Sequence, residues 1–184
     1  MDNTAKDLVY YTADEYFEAT KDTDELTELI GGLIYNSPSP GMRHQDIATG
    51  LVTELRIFVR KNHGTCLPFA APCDVKIDEN NVVVPDVFIT CKPETIDTLR
   101  CYGAPDFVAE VTSTNRSNDF VRKLALYKDS GVREYWIIDL LKERVLVYFF
   151  EESDSPDVYD FTTPIPVRIW DSRLSITIHD LELL

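Results

Sequence analysis

Two hydrophobic periods alternate along this chain, one near 3.6 residues and one near two, and they divide it into elements. Thr12-Ala13-Asp14-Glu15 has the form of a capping box, with Thr12 as N-cap and Glu15 three residues on. It predicts a short helix from about 13 to 20. Leu26 to Tyr35 reads as a strand bent or turned at Gly31-Gly32, and Asn36 to Gly41 as a loop. From His44 to Lys61, Ile47, Leu51, Val52, Leu55, Phe58 and Val59 recur at helical spacing and form one apolar face. Phe69 to Ile77 and Val82 to Thr90 read as two strands joined by a hairpin-type connection at 78–81. Val82 to Ile89 is nearly all apolar, the signature of a strand buried on both faces.

A short strand, Phe107 to Val111, comes next. Ser117 or Asn118 can cap a helix running to Ser130, with Phe120, Val121, Leu124 and Tyr127 toward the core and Gly131 in a left-handed C-terminal cap. Glu134 to Asp139 and Arg144 to Phe150 are further strands, and the tail beyond an acidic loop at 151–157 reads as more strand. The order predicts an α/β fold, a mixed central sheet flanked by helices. Residues 107–139 form a strand–helix–strand unit, which should join two parallel strands by a right-handed crossover.

At 184 residues and 44% hydrophobic content, the chain fits one domain with its own core, centred on about 25–150. No apolar run approaches the roughly 18 residues of a membrane span, and the acidic first residues do not resemble a signal peptide. A cytoplasmic protein without membrane contact is the expectation. Cys66, Cys73, Cys91 and Cys101 lack the paired spacing of a zinc site and read as free thiols, although a disulfide stays open. The net charge of −14 argues against a large nucleic-acid footprint. Its distribution changes that picture: residues 1–30 carry −7, residues 151–184 carry −6, and residues 31–150 only −1. The excess acid lies at the ends.

Two acids sit oddly in apolar strands. Asp86 interrupts Val82 to Thr90, and Glu110 interrupts Phe107 to Thr112. A buried charge is costly unless it is paired or binds a cation. Acids on neighbouring strands can converge on one hard ion, which takes oxygen ligands and can activate water against a phosphoryl group. A nearby lysine can stabilise the developing charge.

Pro85-Asp86, the run Gly103 to Ser113, Asp119, Lys123, Tyr127 and the run Gly131 to Asp139 together resemble the Uma-type putative restriction endonuclease family, a branch of the PD-(D/E)XK nuclease superfamily. The resemblance covers roughly residues 10–150 and is most specific from Gly103 to Asp139. It implies a restriction-endonuclease-like fold, with Asp86, Glu110 and the Val111 carbonyl as ligands of Mg²⁺ or Mn²⁺. The superfamily lysine usually follows the acid by two residues. Thr112 stands there, and the resemblance moves the lysine to Lys123 on the next helix. Glu28 and His44 match further polar positions of the family. DNA is then the substrate, and a homodimer would supply one site per strand.

Each residue also has a plainer role. Asp86 can cap a strand end, Glu110 can pair with a buried base, and Lys123 lies four residues after Asp119, the spacing of a helical ion pair. Glu28 lies in an acidic segment and His44 at a helix start. Asp139 reads as a turn former, His63 as a helix-end residue and His179 as a surface residue. Trp136 and Tyr135 read as core or dimer surface. The run Arg116, Arg122, Lys123, Lys128, Arg133 offers a candidate phosphate-contact face. Besides an endonuclease, a non-cutting nuclease-like scaffold and a hydrolase of another phosphodiester remain alternatives.

Overall fold

The computed structural model describes residues 9–37, 39–112 and 117–183, with side chains omitted for 117–120. The capping expected of Ser117 or Asn118, the roles expected of Asp119 and Phe120, and Arg116 all lie outside the described residues.

The helices are α1 (Ala13–Thr20), α2 (Met42–Lys61) and α3 (Ser117–Ser130). The strands are β1 (Thr27–Ile30), β2 (Leu33–Asn36), β3 (Leu67–Ala70), β4 (Val75–Asp78), β5 (Asn81–Val83), β6 (Val87–Thr90), β7 (Cys101–Tyr102) and β8 (Phe107–Thr112). After α3 come β9 (Glu134–Asp139), β10 (Arg144–Phe149), β11 (Asp157–Asp160), β12 (Ile165–Pro166) and β13 (Ser175–Ile176). The capping box forms as read: the Glu15 N–H donates to the Thr12 hydroxyl at 3.3 Å, and the Thr12 N–H donates to Glu15 Oε2 at 2.8 Å. Gly31 and Gly32 both have positive φ and turn β1 into β2 as a hairpin.

The strands form three sheets rather than one. A six-stranded sheet runs β11-β10-β9-β8-β6-β3, a five-stranded sheet runs β2-β1-β5-β4-β7, and β12 pairs with β13. The β8–β9 pair, joined through α3, is parallel, and the six-stranded sheet is therefore mixed. The two long strands read from the apolar runs are each divided. Residues 69–77 supply β3 to one sheet and β4 to the other, and residues 82–90 supply β5 and β6 in the same way. Each division falls at a proline. Pro72 follows a cis peptide bond, and Pro85 sits between β5 and β6; neither can donate a ladder hydrogen bond. The step between sheets at Pro85 delivers Asp86 to the start of β6.

Alternation along β8 builds two cores. Phe107, Ala109 and Val111 join Trp136, Ile138 and the buried face of α2 (Ile47, Leu51, Leu55), closed by tail residues such as Ile165 and Trp170. Val108 points the other way, toward Phe88, Tyr127, Tyr135 and Ile137. Glu110 shares the parity of Val108, so it enters the second face. At Gly50, a Cβ would come 2.9 Å from the Leu181 side chain; the missing side chain lets α2 and the tail meet.

The cysteines depart from the free-thiol reading. Cys66 and Cys91 form a disulfide, while Cys73 and Cys101 are free. The antiparallel register that sets Leu67 opposite Thr90 also sets Cys66 opposite Cys91, a juxtaposition their spacing in sequence does not reveal. Among the described residues, no helix is long and apolar enough to cross a membrane.

Candidate functional site

Four elements bring the candidate residues together where the chain steps between the two large sheets. Asp86 follows Pro85, and its Oδ2 accepts the Val111 N–H at 2.7 Å. That bond ties the start of β6 to β8, one residue past Glu110. His44, in the first turn of α2, places Nε2 3.0 Å from the same Oδ2. Burial pulls the His44 pKa down. The hydrogen bond and charge of Asp86, the charge of Glu110 and the Val111 carbonyl outweigh it, and the net shift is upward. Its Nδ1 is buried without a hydrogen-bond partner among the described residues.

Lys123 reaches the site from α3. Its ammonium lies 2.9 Å from Glu28 Oε1 and 3.0 Å from Glu110 Oε1, and all three side chains are buried. Glu28, on β1, also accepts the Val84 N–H at 2.8 Å and so holds the segment leading into Pro85. Tyr127 lies one helical turn beyond Lys123 on the same face of α3, and its hydroxyl donates to Glu110 Oε1 at 2.8 Å.

The electrostatics follow from burial and crowding. Desolvation pushes the Glu110 carboxyl up to about 8 against the opposing pull of Lys123, with Asp86 and Glu28 adding repulsion. Burial opposes the Lys123 charge, but Glu110 and Glu28 raise its pKa well above that of an ordinary lysine. The site therefore holds its ammonium firmly and has more negative charge than it can comfortably ionise.

Lys123 resolves two readings together. It is the buried base that Glu110 was expected to need as a plain structural acid, and it is also the lysine nearest the two candidate ligands. The remaining basic run is engaged. Lys128 pairs with Asp154 at 2.7 Å, Arg133 with Glu151 at 2.8 Å and Asp106 at 3.5 Å, and Arg122 stacks 4.2 Å over the Tyr35 ring. Asp139 accepts the Leu141 and Lys142 N–H groups at 3.1 Å as a turn former, His179 is exposed, and Trp136 and Tyr135 are core.

Sequence reasoning missed two residues. Tyr127 was read as an apolar face position, although its spacing of four from Lys123 put both polar tips at one place. Glu134 went unmarked among apolar neighbours, yet it is wholly buried, accepting Trp136 Nε1 at 2.7 Å and the Ile169 N–H at 2.9 Å.

Among the described residues, no cluster of three or more His, Cys, Asp and Glu side chains is arranged to hold a metal. The donor set is instead two carboxylates beside a main-chain carbonyl. That suits Mg²⁺, which uses one or two carboxylates and keeps several waters, better than a metal that needs an all-protein cage.

The mixed sheet, with acids and a lysine gathered where β6 leaves the smaller sheet, has the architecture of restriction-endonuclease-like α/β proteins. A solved structure shares the fold: the "putative nuclease belonging to DUF820 from Anabaena variabilis ATCC 29413" matches with a TM-score of 0.76 and 22% identity, over 92% of this chain and 96% of that one. The chain belongs to the Uma2 family, described as "putative restriction endonuclease", which it matches over residues 13–167. No curated protein matches it.

Proposed function

We propose that this protein is an endonuclease that hydrolyses DNA phosphodiester bonds with Mg²⁺ or Mn²⁺, acting as a homodimer with one site per strand. The observation that carries the reading is the meeting of Asp86 and Glu110 beside one buried ammonium. Asp86, Glu110 and the Val111 carbonyl would hold the ion. When bound, the ion supplies Lewis-acid polarisation of the phosphoryl oxygen and a more acidic water. Lys123 stabilises the charge that grows on the phosphate oxygens. Glu28 keeps that ammonium in place, and His44 holds Asp86 from the α2 side.

A second reading is a nuclease-fold protein that binds a partner or nucleic acid without cutting it. The engaged basic residues and the net charge of −14 favour it. A third is hydrolysis of a smaller phosphodiester. Supercoiled plasmid incubated with Mg²⁺ or Mn²⁺ separates them. Nicking or linearisation that is lost in both Asp86→Ala and Glu110→Ala supports the endonuclease. No cleavage with either ion, together with no calorimetric metal binding, overturns it in favour of the second reading. Turnover of a small phosphodiester with intact plasmid supports the third.

A further inference from the structure

The three acids of the site share one habit: each gives a single oxygen to the protein. Oδ2 of Asp86 takes both the Val111 N–H and His44 Nε2. Oε1 of Glu28 takes the Val84 N–H and Lys123. Oε1 of Glu110 takes Lys123 at 3.0 Å and Tyr127 at 2.8 Å. Among the described residues, every hydrogen bond to these carboxyls falls on those oxygens, which leaves Oδ1 of Asp86 and Oε2 of Glu110 as the atoms available to a ligand.

We propose that Tyr127 is a positioning residue that makes Glu110 a one-oxygen ligand, and that this tunes the site to Mg²⁺ and Mn²⁺ against Ca²⁺. The inference rests on the metal-dependent reading above. Ca²⁺ takes six to eight oxygens and accepts carboxylates through both of them, whereas Mg²⁺ demands a tight octahedron and keeps its waters. An oxygen that already accepts an ammonium and a phenol has little left for a cation. Tyr127 is well suited to enforce that division. It is wholly buried, and its ring makes an edge contact with Tyr135 at 4.9 Å, so the hydroxyl has no water to turn toward. Lys123 and Tyr127 leave the same helix face one turn apart, which fixes the rotation of the Glu110 carboxyl from two directions.

Calorimetric titration of the full chain with Mg²⁺ and with Ca²⁺, in wild type and Tyr127→Phe, tests this. The expected result is a Mg²⁺ affinity lower by about tenfold, the scale of losing a ligand's supporting hydrogen bond, with Ca²⁺ affinity unchanged or higher. The Mg²⁺/Ca²⁺ preference then falls by at least that factor. An unchanged ratio overturns the proposal, whether both affinities fall together or neither moves. Wild type that binds neither ion overturns the metal-dependent reading instead. If Tyr127→Phe does not fold, the infrared carboxylate bands of Mg²⁺-loaded wild type, assigned with Glu110→Gln, decide the matter. A one-oxygen pattern for Glu110 is expected, and a two-oxygen pattern overturns the proposal.

Discussion

Glu110 and Glu134 stand on adjacent strands of one sheet, face opposite sides and are both buried, yet they are held in different ways. Glu110 shares its face with Val108, and its partners are side chains: an ammonium, a phenol and the repelling charges of Asp86 and Glu28. Glu134 shares its face with Trp136, and fixed N–H groups serve each of its oxygens, Trp136 Nε1 on Oε1 and the Ile169 backbone on Oε2. That second carboxyl fastens β9 to the tail. Burial raises both, to about 8 and about 7. A buried acid in an apolar strand is thus no sign of a site by itself. The sign is the company of other acids, with only one oxygen committed.

The largest test of this contrast is Lys123→Met. Removing one partner of a buried ion pair costs about 3–5 kcal/mol, read as a lowered midpoint in urea. Saturating Mg²⁺ should restore about 2–3 kcal/mol, and more than it adds to wild type, because the ion no longer meets the ammonium. Glu134→Ala should show no Mg²⁺ increment beyond that of wild type. If Lys123→Met gains nothing from Mg²⁺, Glu110 is a fastener like Glu134 and the contrast collapses.

The next test is pH. The folded Glu134 carboxyl lies at about 7, above its ordinary 4.5, because burial disfavours the charged form. The sign follows from linkage: its stabilising contribution is fully present below about 4.5 and is lost as pH rises through about 7. The loss amounts to about 3 kcal/mol at most. Glu134→Gln does not titrate, but it offers one acceptor where two N–H groups need one each. It should be less stable than wild type by about 1–3 kcal/mol near pH 5. That gap should narrow toward pH 8, while plasmid cleavage per folded molecule stays unchanged. Subtracting the two urea curves cancels the titration of the distant site. A gap that is constant with pH would mean that Glu134 stays ionised throughout.

The sequence carried the local elements well and their assembly less well. The capping box, the α2 stripe and the Gly131 cap depend on neighbours within a turn, and such signals survive in any tertiary context. The division of 69–77 and 82–90 between two sheets turns on Pro72 and Pro85 and on pairing partners far along the chain, which periodicity does not encode. Asp86 and Glu110 stood out as acids among apolar residues. The same rule applied equally to Glu134 and would have placed a second site on the wrong face. Only the fold shows that Glu134 meets an indole and a backbone N–H while Glu110 meets other carboxyls. The Cys66–Cys91 bond was hidden for the same reason, since it follows from the register of β3 on β6.

The smallest test compares single donors in the metal-free protein. Tyr127→Phe removes one hydroxyl from Glu110 Oε1 but leaves Lys123 on the same oxygen. The acceptor stays satisfied, so the cost should be about 1 kcal/mol. Trp136→Phe removes the indole N–H from Glu134 Oε1. That oxygen then has no donor in its place, and the smaller ring leaves space in the core beside Phe107, whose ring centroid lies 5.3 Å away. The two losses together should come to about 3 kcal/mol or more. Thermal or urea denaturation of the two variants should therefore differ about threefold in cost, although each loses one hydrogen bond to one buried glutamate. Equal costs would mean that the second donor on Glu110 is not redundant. The ammonium would then be too weakly placed to satisfy that oxygen alone, and the division of labour between the two Glu110 oxygens would rest on Tyr127 first and Lys123 second.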